Sequence, residues 1–162
     1  PLEFLKITFL RISVYFSFAR PTGWWPYLAG SPWQPVALLL SAFWSVIIFT
    51  FGFFGVVEAI KNTNGYVKKN AMQLLAFLVA VALPVIFVVV ETRYRYPSYA
   101  FLAMFAGLGM VEILKNPIRN IISNGASAKR FLIIFLILFG NTFFDIIRHF
   151  DRIMERINNF IV

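Results

Sequence analysis

The sequence predicts an all-α integral membrane protein of about four transmembrane helices, with amphipathic interfacial helices at both ends. Three observations carry that expectation. Of the 162 residues, 60% are hydrophobic and 19% aromatic, and only 14% are charged, where soluble domains carry about 25%. Several stretches approach the roughly 20 apolar residues that a helix needs to cross a hydrocarbon core. The segments flanking them repeat their apolar residues at a helical period instead. Twenty phenylalanines and four tryptophans cannot all be hidden inside a particle this small, so lipid must be the solvent for most of the chain. The whole chain, 1–162, reads as a single membrane domain: 1–33 an interfacial helix and aromatic loop, 34–147 a four-span bundle, and 148–162 an amphipathic tail.

Taken in order, a helix over residues 2–19 places Glu3, Lys6, Ser13, Ser17 and Arg20 on one side and Leu5, Phe9, Ile12 and Phe16 on another. Such a helix is expected to lie in the membrane interface. Trp24, Trp25, Tyr27 and Trp33 follow, as in the aromatic belts that mark the membrane boundary. Residues 34–57 carry no charge, open with Pro35 in a first-turn position, and are bounded by Glu58 and Lys61. Residues 70–90 are likewise uncharged, with Pro84 inside, where a proline removes a backbone hydrogen bond and favours a kink. The third and fourth spans, 97–114 and 131–147, are shorter and include Glu112 and then Asn141 and Asp145. Beyond them Ile146, Phe150, Ile153, Ile157 and Phe160 recur at steps of three and four, alternating with charged residues.

Fifteen Lys and Arg against seven Asp and Glu give a net charge of +8. The basic residues lie between apolar segments, so they read as topology signals and headgroup contacts and imply no nucleic acid. Lys61, Lys68 and Lys69 after the first span, and Lys115, Arg119, Lys129 and Arg130 after the third, place those loops in the cytoplasm. The termini and residues 91–96 then fall on the other side, although the basic residues there are slightly more numerous. With no cysteine and a single histidine, disulfides, thiolate nucleophiles and the familiar zinc arrangements are out of reach, and no metal site is expected.

The chemistry-bearing stretch is 91–97, Glu-Thr-Arg-Tyr-Arg-Tyr-Pro, wedged between two apolar spans. Arg93 and Arg95 offer planar forks suited to a phosphate, and Glu91 and Tyr94 can orient them at headgroup depth. The plainer alternative is a connecting turn whose charges only anchor it at the interface. Ala100, Ala103 and Gly107 form a small-residue seam on the third span that permits close helix approach, within the chain or against a partner. Asp145 and Arg148 are spaced to pair on one helix face, and His149 lies beside them.

Glu91, Arg93, Tyr94, Arg95 and Pro97, followed by Phe101, Leu102, Ala103, Ala106, Gly107, Leu108 and Gly109, resemble a motif near the C-terminus of integral-membrane glycosyltransferases of the C superfamily. That branch includes protein O-mannosyltransferases and lipid A aminoarabinose transferases. The resemblance implies transfer of a sugar from a polyprenyl-phosphate carrier on the extracytoplasmic side. It makes Arg93 and Arg95, with Glu91 and Tyr94, candidates for the carrier phosphate, and implies a location in the bacterial cytoplasmic (inner) membrane. The family's catalytic carboxylate lies in a large loop after its first span, and no loop here carries paired aspartates, so the catalytic residue is unknown. The expected partners are therefore the lipid bilayer, a polyprenyl-phosphate lipid or the remaining half of a larger enzyme, with no cofactor in this chain. The alternative is a small non-enzymatic subunit that packs against other membrane subunits and stabilises a larger complex.

Overall fold

A computed structural model describes residues 2–18, 34–61, 64–88, 92–115 and 126–151. The elements are α1 (Leu2–Tyr15), α2 (Gln34–Lys61), α3 (Gly65–Phe87), a short 3-10 turn (Thr92–Arg95), α4 (Tyr96–Lys115) and α5 (Ala126–Arg148), with no strand among the described residues. Four helices are long and apolar enough to cross a membrane, over Leu39–Lys61, Gly65–Phe87, Tyr96–Leu114 and Ala126–Arg148. The protein is an all-α integral membrane protein. The aromatic segment with Trp24, Trp25, Tyr27 and Trp33, residue Glu91, and the tail beyond Asp151 lie outside the described residues.

Local chemistry sets the helix ends. Asn64 caps α3, its side chain accepting the Tyr66 N–H at 3.0 Å, which satisfies one of the amides that a helix start leaves without a partner. Pro35 and Pro97 are each the second residue of their helix, where a missing N–H costs nothing. Helix α3 runs on through Pro84 and ends at Phe87, so the proline weakens only the last turn.

The bundle is closest between α2 and α4, which run in the same direction. A Cβ on Gly55 would lie 1.8 Å from the Phe105 carbonyl oxygen, and one on Gly109 2.6 Å from that of Phe51. Gly52 meets Leu102 in the same way at 2.9 Å. Backbone therefore touches backbone, the arrangement by which membrane helices gain van der Waals contact without a hydrophobic driving force. The seam expected at Ala100, Ala103 and Gly107 is not the one the chain uses. All three are exposed on the opposite side of α4, and a Cβ on Gly107 would meet nothing within 4 Å. The buried stripe is Ser98, Tyr99, Leu102, Phe105, Ala106 and Gly109, which carries the bulky side chains that fill the space around the glycines.

Helix α5 returns antiparallel, packing Phe131 tilted against Phe51 and edge-on to Phe54 near its start and burying Leu138 with Ile48, Phe49 and Leu102 farther along. Around this interior large apolar side chains such as Leu39, Phe43, Phe77, Ile137 and Phe143 point outward. In water each such side chain would forfeit roughly 1.5–3 kcal/mol of burial, whereas in lipid it forfeits almost nothing.

Leu5, Phe9 and Ile12 of helix α1 face away from the bundle, whereas Phe16, expected on the same side, packs inward against Phe49 and Phe53, and Ser13 and Tyr15, with Ser17 just beyond the helix, are buried. An apolar stripe is at ease against lipid, and the Tyr15 hydroxyl turns to the protein, where the Ser98 hydroxyl meets it.

Candidate functional site

Three of the four residues expected to form a phosphate cradle lie in the described part of the turn between α3 and α4, and Arg95 is where the expectation fails. The 3-10 turn leads straight into α4, and Arg95 falls one helical step before Ser98 and Tyr99 on the buried stripe. Its side chain is 1% exposed. Its Nη2 donates to the Ser17 carbonyl oxygen at 2.9 Å, and its guanidinium carbon lies 5.1 Å and 5.8 Å from the ring centroids of Phe49 and Tyr99. Arg95 is thus an internal strut and not an outward-facing phosphate ligand. A cation inside a membrane protein requires this surrounding, a charge-assisted hydrogen bond and aromatic faces in place of water. Tyr94 and Tyr96, on either side of it, are exposed. Arg93 belongs to the same turn, and Glu91 lies outside the described residues.

Around Arg95 the ends of α1, α4 and α5 and the middle of α2 share a polar interior. The Tyr15 and Ser98 hydroxyls are hydrogen-bonded, as are Ser45 and Tyr99 at 2.7 Å, and the Ser45 hydroxyl also donates to the Ser41 carbonyl oxygen at 2.8 Å. From α5, the Asn141 side-chain amide donates to the Ser13 carbonyl oxygen at 2.9 Å, and the Phe18 N–H donates to the Thr142 hydroxyl at 2.9 Å. Arg11 completes the latch by donating from Nη1 to the Phe87 carbonyl oxygen at the end of α3. Guanidinium groups thus serve a carbonyl at the end of α3 and one just beyond the end of α1, where the helix dipoles favour positive charge. Burial raises the Tyr15 phenol above its usual 10.0, outweighing the opposing hydrogen bond from Ser98 and the charge of Arg95, so it stays neutral in this cluster.

The same end of the bundle holds Asp145, 3% exposed on α5. Its carboxylate faces the His149 ring at 3.3 Å, one turn on, and Arg148 is exposed. The observed pair is therefore Asp145 with His149. Among the described residues no cluster of histidines and carboxylates could hold a metal ion.

Sequence reasoning missed Ser17, Phe49 and Tyr99 as partners of Arg95, and Tyr15, Ser45 and Ser98 as members of the hydrogen-bonded cluster around it. A signal for Ser98 and Tyr99 was present: Arg95, Ser98, Tyr99 and Leu102 recur at steps of three, one and three, the spacing of one helix face. Tyr15 comes from a distant helix, and no local spacing announces it.

Comparison with known proteins finds no match: no family model, no curated protein and no solved structure aligns with this chain.

Proposed function

We propose that this chain is the C-terminal membrane segment of a glycosyltransferase that moves a sugar from a polyprenyl-phosphate carrier on the extracytoplasmic side of the bacterial cytoplasmic membrane. The segment contributes carrier-phosphate binding and scaffold. The observation that carries the reading is the locked turn: Arg95 secures Thr92–Arg95 from inside the bundle, and Tyr94 and Tyr96 stand exposed at its boundary. In this reading Arg93 and Tyr94, with Glu91, meet the carrier phosphate, and Arg95 positions the turn that presents them. Displacement at the anomeric carbon expels a phosphate-linked lipid, and in this reading the Arg93 guanidinium offsets the charge that grows on its oxygen. No residue of this chain is assigned as the base.

The test is retention of polyprenyl phosphate and of uncharged polyprenol by the chain in neutral lipid vesicles. The phosphate form is expected to be retained preferentially. Arg93→Gln should weaken that preference about tenfold, the worth of one charge-assisted hydrogen bond, while Arg93→Lys keeps part of it. Equal retention of the two lipids, or an Arg93→Gln variant that is folded and unaltered, refutes the assignment.

The outward stripe of Ala100, Ala103 and Gly107, exposed among the described residues, favours a second reading as a packing subunit of a larger membrane complex. Introducing leucine at Ala103 and Gly107 should then release the chain from that complex in native membranes without unfolding it.

A further inference from the structure

The two ends of the bundle differ in how their charges are used. At the end that holds the 3-10 turn, the buried Arg95 and the partly exposed Arg11 are engaged by protein carbonyls. At the opposite end Lys61 closes α2, Lys68 and Lys69 lie near the start of α3, and Lys129 lies near the start of α5. These helix ends converge. Arg130 and Glu58 form an ion pair at 2.7 Å that ties α5 to α2, and Val56, Ala59 and Ala71 pack α2 against α3.

We propose that this lysine-bearing end is a binding surface for anionic phospholipid headgroups. Lys61, Lys68, Lys69 and Lys129 are all exposed, and none forms an ion pair among the described residues. Two carboxylates lie near them. Glu58 is held by Arg130, which in turn donates from Nη2 to the Ser127 hydroxyl at 2.8 Å, and Glu112 is half-buried on α4. Among the described residues, then, no carboxylate engages these lysines.

Their placement also runs against helix stability. Lys68, Lys69 and Lys129 sit close to the positive ends of the dipoles of α3 and α5, where cations are unfavourable, so local helix energetics does not account for them. Depth selects the partner. Each lysine lies near the end of a helix long and apolar enough to cross a membrane, where its four-carbon stem can carry the ammonium to the level of the phosphodiesters. Those phosphates are fixed in the leaflet at high local concentration, which a soluble anion is not. The surface is remote from the turn proposed to meet a carrier phosphate, and the inference does not depend on that reading.

The experiment places the full chain in phosphatidylcholine vesicles with small amounts of spin-labelled phosphatidylglycerol or spin-labelled phosphatidylcholine. The motionally restricted fraction reports the relative association of each. The wild-type chain is expected to prefer phosphatidylglycerol, and the preference should fall about fivefold for the first lysine removed among Lys61→Gln, Lys68→Gln, Lys69→Gln and Lys129→Gln. The fourfold glutamine variant should show none, the corresponding arginine variant should keep it, and Lys6→Gln at the other end should leave it unchanged. Raising salt from about 0.01 M to about 1 M should abolish the wild-type preference, a readout that needs no variant. A salt-insensitive preference, a folded glutamine variant that retains it, or full competition by millimolar glycerol phosphate overturns the proposal, the last because it would make the ligand a soluble anion.

Discussion

Arg95 offers the sharpest test of how this bundle is held together. Its hydrogen bond to the Ser17 carbonyl oxygen, being charge-assisted, is worth roughly 1.5–3 kcal/mol. Its approach to Phe49 and Tyr99 adds about 1–2 kcal/mol in a site without water. Against these stands the cost of keeping a cation out of water, which any neutral replacement relieves. Arg95→Ala removes both interactions and leaves a void, and the expected net loss is about 3 kcal/mol. Arg95→Met fills most of the volume with nothing to desolvate, so it should lose only about 1 kcal/mol. Arg95→Lys keeps the charge but loses the planar fork and buries a more strongly hydrated ammonium, so it should be at least as unstable as the alanine variant. The assay is denaturant unfolding in mixed micelles, with hydrogen exchange of residues 12–17 as the local readout. The order methionine, then alanine and lysine, is the prediction. A lysine variant as stable as the wild type, with methionine the worst, would mean that charge alone matters and that the strut geometry argued above is wrong.

Gly55→Ala should force α2 and α4 apart because its Cβ has no room beside the Phe105 carbonyl, costing about 3 kcal/mol or more, whereas Gly107→Ala should be neutral or stabilise by up to about 1 kcal/mol in the same unfolding assay. The chain has no cysteine, so single spin labels can be placed without background. Labels at Phe9 and Ile12 should be accessible to oxygen in the hydrocarbon, while labels at Ser13 and Ser17 should be shielded from both oxygen and polar relaxants. Equal oxygen access at all four would refute the observed facing of α1. The raised Tyr15 pKa has a definite sign: above pH 10 the unfolded chain releases this proton before the folded one does, so stability should fall as pH rises through and beyond that range. Tyr15→Phe should flatten that slope, and an unchanged slope would show that Tyr15 is not its source.

Much of the architecture was legible because bilayer thickness and the cost of charge in hydrocarbon act on short stretches of chain. The uncharged runs 34–57 and 70–90 became α2 and α3, and the two shorter runs became α4 and α5 despite Glu112 and Asp145. The fourth span begins earlier than its apolar run suggested, at Ala126, because Arg130 is neutralised by Glu58 from another helix. The candidate site was legible as a place but not as a geometry. The turn carrying Arg93, Tyr94 and Arg95 lies between two spans as expected, yet the interior direction of Arg95 depends on Ser17, just beyond α1 and 78 residues away along the chain.

The sequence by itself determined the solvent, the helical class and the position of each span, since those follow from how many consecutive residues can leave water. Only the tertiary structure decided which faces meet. Both the Ala100, Ala103 and Gly107 stripe and the stripe ending at Gly109 could support close packing, and the chain uses the second. Likewise α1 presents its hydroxyls to the bundle and its apolar side chains outward. The reason is physical: lipid accepts an apolar face as readily as a protein interior does, so hydrophobic periodicity loses its power to say which side is inside. What remains to decide is where backbones can touch and where hydroxyls, amides and an arginine can find partners, and those partners come from other helices.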